Sequence, residues 1–176
     1  EQFVKVKGNF VQTTIDSYYD LTGFEKKVIF EGEGSVFTLN ATKGILIGSN
    51  VTLKDFTFNY SGSESYGSSA DLLNVGNGSA CITNTINSNI SNVLIESCIF
   101  NYTNDTQRPP FILFQFNKGN EGKNISIKNC HFNDVGTTNV KKSQAAIAFY
   151  TFNSGVSTDP ALLQNCEIIG SVCNQK

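Results

Sequence analysis

Asn124-Ile-Ser-Ile-Lys-Asn-Cys-His-Phe132 decides the fold, because the same nine-residue pattern recurs three more times without gaps. The other copies are Asn50-Val-Thr-Leu-Lys-Asp-Phe-Thr-Phe58, Asn92-Val-Leu-Ile-Glu-Ser-Cys-Ile-Phe100 and Pro160-Ala-Leu-Leu-Gln-Asn-Cys-Glu-Ile168. In each, two inward apolar residues alternate with polar ones, the mark of a half-buried strand. The phase then slips by one residue at Asp55, Ser97, Asn129 and Asn165 before the apolar alternation resumes. A slip of one residue inside a strand would turn every later side chain outward. A sharp corner at the slip avoids this, and Asn and Asp tolerate the left-handed backbone such a corner needs.

Working outward, a fainter copy starts at Val28-Ile29-Phe30, and an apolar run follows each motif. These runs are Ala70 to Val75, Phe111 to Phe116 and Ala145 to Phe152. Three short strands per repeat are expected, joined by one fixed corner and two variable loops. The loops at 61–69, 76–91 and 102–110 are rich in Gly, Ser, Asn and Pro, as surface connections are.

Strand, asparagine corner, strand, loop, strand, loop resembles the pectate-lyase-like right-handed parallel β-helix superfamily, over about residues 28 to 169. The resemblance implies an all-β solenoid of about five coils with decorated loops. Residues 1–27 are read as an N-terminal strand and cap, 28–169 as the β-helix, and 170–176 as a C-terminal tail.

The 176 residues suffice for one domain with a sizeable core. Charged residues make up only 16%, and their place is taken by 21 Asn, 17 Ser and 15 Thr. Net charge is −2 with Arg108 the single arginine, so no basic stripe exists to neutralise nucleic-acid phosphates. No apolar run approaches the length of a membrane span. Glu1-Gln2-Phe3 lacks the charged and apolar regions of a signal peptide, and the chain reads as a mature or excised product.

Eight Asn-x-Ser/Thr acceptors occur, at Asn40, Asn50, Asn59, Asn77, Asn89, Asn101, Asn104 and Asn124. About four are expected from composition, so the excess is roughly twofold. Asn50 and Asn124 share one repeat position, and Asn59 and Asn101 share another. N-linked glycans along the outside of a solenoid would block lateral strand pairing. A secreted or cell-surface location is therefore expected.

Cys98, Cys130 and Cys166 hold the repeat position that Phe56 fills earlier, and are expected to face inward and stack. A vertical disulfide and buried free thiols both fit such a stack. Cys81 reads as a loop residue and Cys173 as part of the tail, and the five make an odd set of disulfide candidates. No C-x-x-C is present, so neither metal nor cofactor is expected. His131, the single histidine, falls on the outward phase and reads as surface decoration.

No catalytic residues are assigned. Polysaccharide lyases and hydrolases on this fold would need paired acids or a placed arginine. The expected outward positions are Thr52, Lys54, Thr57; Leu94, Glu96, Ile99; Ser126, Lys128, His131; and Leu162, Gln164, Glu167. They pair no carboxylates on adjacent coils, Asp71, Asp105 and Asp134 fall at unrelated positions, and Arg108 precedes Pro109-Pro110 in a loop. A carbohydrate-binding module is the alternative, with Tyr60, Tyr66, Tyr102 and Tyr150 as sugar-stacking candidates for surface carbohydrates. The favoured expectation is a structural or adhesive protein that partners copies of itself. Phe3-Val4-Lys5-Val6 would add to a neighbour's open edge, which Ile168 and Ile169 would present.

Overall fold

The alternation at Val51–Lys54 forms a strand, and every strand paired with it runs parallel. The computed structural model describes residues 1–12, 18–39, 43–61, 80–103, 110–133, 146–152 and 161–174. All regular elements among them are strands, eighteen in number. They fall into six tiers, each visiting up to three sheets in turn.

The first tier is β1 (Gln2–Lys5), β2 (Asn9–Val11) and β3 (Tyr19–Leu21), and the second is β4 (Val28–Glu31), β5 (Val36–Leu39) and β6 (Lys43–Ile47). The third holds β7 (Val51–Lys54), β8 (Thr57–Tyr60) and β9 (Ala80–Thr83). The fourth holds β10 (Ile90–Glu96), β11 (Ile99–Tyr102) and β12 (Ile112–Asn117). The fifth holds β13 (Glu121–Lys128), β14 (His131–Asn133) and β15 (Ile147–Phe152). The sixth contributes β16 (Leu162–Gln164) and β17 (Glu167–Ile169) to the first sheet and β18 (Val172–Asn174) to the second. Stacking follows tier order in all three sheets, an arrangement consistent with a parallel β-helix solenoid.

The coil structure extends beyond the 28–169 span expected from sequence. β1, β2 and β3 pair in register with β4, β5 and β6, so the expected cap contains a full tier. β18 pairs β14, which draws part of the expected tail into the second sheet.

The corners follow the expected chemistry. Asp55, Ser97 and Asn129 all have positive φ, and Gly170 occupies the same corner in the sixth tier. A Cβ on Gly170 would press on Asn129 Oδ1, so the close approach favours glycine as much as the φ of +63° does. Asn50, Asn92, Asn124 and Asn165 form a second left-handed corner, which falls just ahead of β7, within β10 and β13, and between β16 and β17.

Asn165 therefore corrects the fourth repeat. Ser126 pairs with Glu167 and Ile127 with Ile168, which sets Asn165 beside Asn124 and Cys166 beside Ile125. The Asn-Cys pair at 165–166 copies the letters of Asn129-Cys130 but stands five residues earlier in the tier. The true corner is Gly170, and Ser171 takes the place expected for Cys166, accepting from Cys130 N–H at 3.2 Å. Glu167 accordingly shares a column with Thr52, Leu94 and Ser126 rather than with Thr57.

The core runs as columns through the tiers. Phe10, Phe37, Phe58, Phe100 and Phe132 stack with centroid separations of 4.8, 5.9, 5.1 and 4.9 Å. In-register parallel pairing places like residues over like, and aromatic neighbours at these separations add to plain burial. The third-sheet strand of the third tier is Ala80–Thr83, a segment that reads as loop in the sequence. Cys81 is thus a fully buried strand residue. The run expected at Ala70–Val75 lies outside the described residues.

Candidate functional site: asparagine and charge columns on the outer surface

Two asparagine columns climb the stack. At the corner, Asn92 Nδ2 donates to Asn50 Oδ1 at 3.1 Å, Asn124 to Asn92 at 3.0 Å and Asn165 to Asn124 at 3.2 Å. The column is anchored where Asn50 Nδ2 donates to the Phe24 carbonyl at 3.0 Å. On the outer face of the second sheet, Asn101 donates to Asn59, Asn133 to Asn101 and Asn174 to Asn133, each at 2.9 Å. Each inner member accepts from one tier and donates to the other, so each column is a continuous amide chain. Such chains polarise along their length and resist any slip in register.

The two columns are linked by a constant spacing. Asn50 and Asn59, Asn92 and Asn101, Asn124 and Asn133, and Asn165 and Asn174 are each separated by nine positions. This Asn-x8-Asn period is the signal that sets the register of every tier from the third onward. It was available in the sequence, but the Asn-Cys dipeptides draw the alignment away from it.

A charge column lies beside them on the outer face of the first sheet. Its in-register residues are Lys5, Glu31, Lys54, Glu96 and Lys128, alternating in sign from tier to tier. Lys54 lies 3.6 Å from Glu31, and Lys128 reaches across to Glu167 at 2.7 Å. Exposed pairs of this kind add little stability. Like charges directly opposite are disfavoured, however, so the alternation selects register. Lys128 and then Ser126 hydrogen-bond the Glu167 carboxylate and hold its pKa below the ordinary value. Glu33 is held low by Lys5 in the same way, through a 2.6 Å contact.

The expected site residues separate as follows. Asn40, Asn77 and Asn104 lie outside the described residues, as do Arg108, Asp71, Asp105, Asp134 and Tyr66. Asn50, Asn59, Asn101 and Asn124 belong to the amide columns, which gives them a structural role independent of the acceptor motif. A linked sugar replaces one of the two Nδ2 hydrogens and leaves the other for the column. Asn89 is exposed, and its Oδ1 accepts from Glu121 N–H at 2.8 Å.

The structure shows all five cysteines in the thiol form. Cys81, Cys98 and Cys130 are buried, Cys166 is half-buried and Cys173 is exposed. Burial pushes the thiol pKa of Cys81 and Cys98 well up. His131 is exposed on β14. Among the described residues no cluster of three His, Cys, Asp or Glu could hold a metal ion.

The sugar-stacking tyrosines are corrected. Tyr60 and Tyr102 are 0% and 6% exposed, and Tyr102 stacks on Phe111 at 4.0 Å, so both rings are core. Tyr150 is half-buried and packs against Ala80 and Leu113. Inward phase at the ends of β8 and β11 places the first two, because Phe58 and Phe100 fix that phase.

At the ends of the stack, the expected self-association residues are on show. Phe3 is 68% exposed, while Ile168 and Ile169 are 51% and 50% exposed. Val4, Val11, Leu162, Leu163 and Val172 are exposed as well, and Val6 is half-buried against the core. No helix among the described residues is long and apolar enough to cross a membrane. No family model, curated protein or solved structure matches this chain.

Proposed function

We propose that this chain is a right-handed parallel β-helix acting as a structural, non-catalytic rod of an extracellular, N-glycosylated surface or matrix, lengthened end to end by copies of itself. The observation that carries this reading is the exposure of apolar side chains at both ends, where Val4 and Ile168 terminate the core column of Phe30, Leu53, Ile95 and Ile127. Phe3 and Val4 on β1, and Val11 on β2, stand exposed at one end. Leu162, Leu163, Ile168, Ile169 and Val172 stand exposed at the other. Unpaired strand edges with apolar side chains favour strand addition.

The columns specify how two copies would meet. Extending the parallel register puts Val4 over Ile168 and Lys5 over Ile169, near the Glu167 carboxylate. Phe10 would fall over Cys173 and prolong the phenylalanine column. Such a contact joins unlike ends and does not close, so it generates a filament.

A catalytic role has less support, because the outer column of the first sheet alternates in charge from tier to tier and its Glu31 is paired with Lys54. A sugar-binding face has less support because Tyr60 and Tyr102 are buried.

Sedimentation velocity and negative-stain microscopy over a range of concentrations test the assembly. Rods of constant width that lengthen with concentration are expected, and Ile168→Lys with Val172→Lys should leave folded monomers. Wild-type protein that stays monomeric throughout, with intact strand structure, would overturn the proposal.

A further inference from the structure

We infer that Cys98 and Cys130 form a disulfide that staples the fourth tier to the fifth. Both follow left-handed corner residues, Ser97 and Asn129, and both are buried. Inter-tier hydrogen bonds bracket the pair: Ser97 N–H donates to the Lys128 carbonyl, and His131 N–H to the Cys98 carbonyl, each at 2.9 Å. Register is therefore fixed on each side of the two cysteines. Residues stacked directly in adjacent parallel strands lie about 4.8 Å apart, inside the range of Cα separations a disulfide accepts.

The two side chains leave the backbone alike. Cys98 Sγ bonds the Glu96 carbonyl and Cys130 Sγ the Lys128 carbonyl, both at 3.3 Å. Each thiol thus points into the same part of the core. The column offers no rival partner, since Phe56 precedes the pair and Ser171 follows it. Cys166 stands beside Ile125, Cys173 beside Phe132 and Cys81 on the third sheet.

The reaction is ordinary thiol–disulfide exchange with a disulfide oxidant such as oxidised glutathione. One cysteine thiolate attacks the oxidant to give a mixed disulfide and one released thiol. The second cysteine then displaces the remaining glutathione, so the protein loses two hydrogens and the oxidant becomes two thiols. Burial raises the Cys98 thiol pKa, and the Cys130 thiol beside it adds to the effect. The Cys98–Cys130 hydrogen bond lowers the Cys130 pKa in turn, and because both side chains are buried the bridge forms as the tiers dock and is afterwards shielded from reductants.

The extracellular reading enters only in naming the compartment that supplies the oxidant, and the test replaces that compartment with a buffer. Denatured, reduced protein is refolded in mixed reduced and oxidised glutathione, its remaining thiols are alkylated, and non-reduced peptides are mapped by mass spectrometry. A Cys98–Cys130 peptide pair is expected, with Cys81, Cys166 and Cys173 recovered as monomeric adducts. The variant carrying Cys81→Ala, Cys166→Ser and Cys173→Ser should form the same bridge, with a higher urea midpoint than after reduction. Native-like protein in which Cys98 and Cys130 are both recovered as thiols, or are linked elsewhere, would overturn the inference. Neither result would bear on where the protein resides.

Discussion

Asn124 donates its side-chain amide to Asn92 Oδ1 at 3.0 Å although 32 residues separate them, and Asn92 passes the same bond to Asn50. Both residues also hold a left-handed backbone, with φ of 53° and 59°. One residue type thus makes the corner and ties it to the next tier.

Those two roles can be separated at Asn92. Asn92→Gly keeps the backbone and removes the amide, losing two hydrogen bonds worth about 1 kcal/mol each. Asn92→Ala also forces a Cβ into the left-handed region, adding about 1–2 kcal/mol. Urea unfolding should therefore rank wild type above N92G and N92G above N92A. Equal stability of the two variants would remove the corner role.

Phe100 is fully buried between Phe58 and Phe132. Phe100→Ala should destabilise the fold by about 3–5 kcal/mol. Phe3→Ala, at an exposed edge, should leave monomer unfolding unchanged and weaken only the end-to-end association. Denaturant titration below the assembly concentration distinguishes them.

Acid should loosen the sixth tier. Glu167 has a folded-state pKa below its ordinary value, chiefly through the Lys128 hydrogen bond. A depressed carboxylate contributes stability above its unfolded pKa and loses it as pH falls through the folded pKa. Amide protection in β17, corrected for intrinsic exchange, should fall below the ordinary carboxylate range while β11 holds. Glu167→Gln should show low protection already at neutral pH.

In reduced protein, a thiol reagent should modify Cys173 rapidly, because it alone of the five is exposed. Cys81 and Cys98 are buried and carry raised pKa values, so their reaction should await unfolding. Peptide mapping after brief labelling checks the order, and Cys173→Ser should abolish the fast phase.

Much of this fold was legible in local pattern. The alternation at Val51–Lys54 and the phase slip at Asp55 identify two strands and a corner without any long-range information. The fourth repeat was misread because Asn165-Cys166 imitates Asn129-Cys130, while its real corner, Gly170-Ser171, carries neither letter. β9 was hidden because Ala80–Thr83 is short and set among Gly, Ser and Asn, so burial of Cys81 depends on pairing with β6 and β12. The amide columns needed three-dimensional register, since a bond across 32 or 42 residues leaves no local trace beyond a nine-residue spacing. Tyr60 and Tyr102 would serve a sugar-binding face only if turned outward, and the inward phase set by Phe58 and Phe100 buries them.

The register of the asparagine columns is the claim on which the rest depends, and nuclear Overhauser contacts between assigned Asn side-chain amide protons measure it directly. Two chains of cross-peaks are predicted, Asn50–Asn92–Asn124–Asn165 and Asn59–Asn101–Asn133–Asn174. Cross-peaks from Asn165 to Asn129, or an absence of contacts between successive column members in folded protein, would contradict the account.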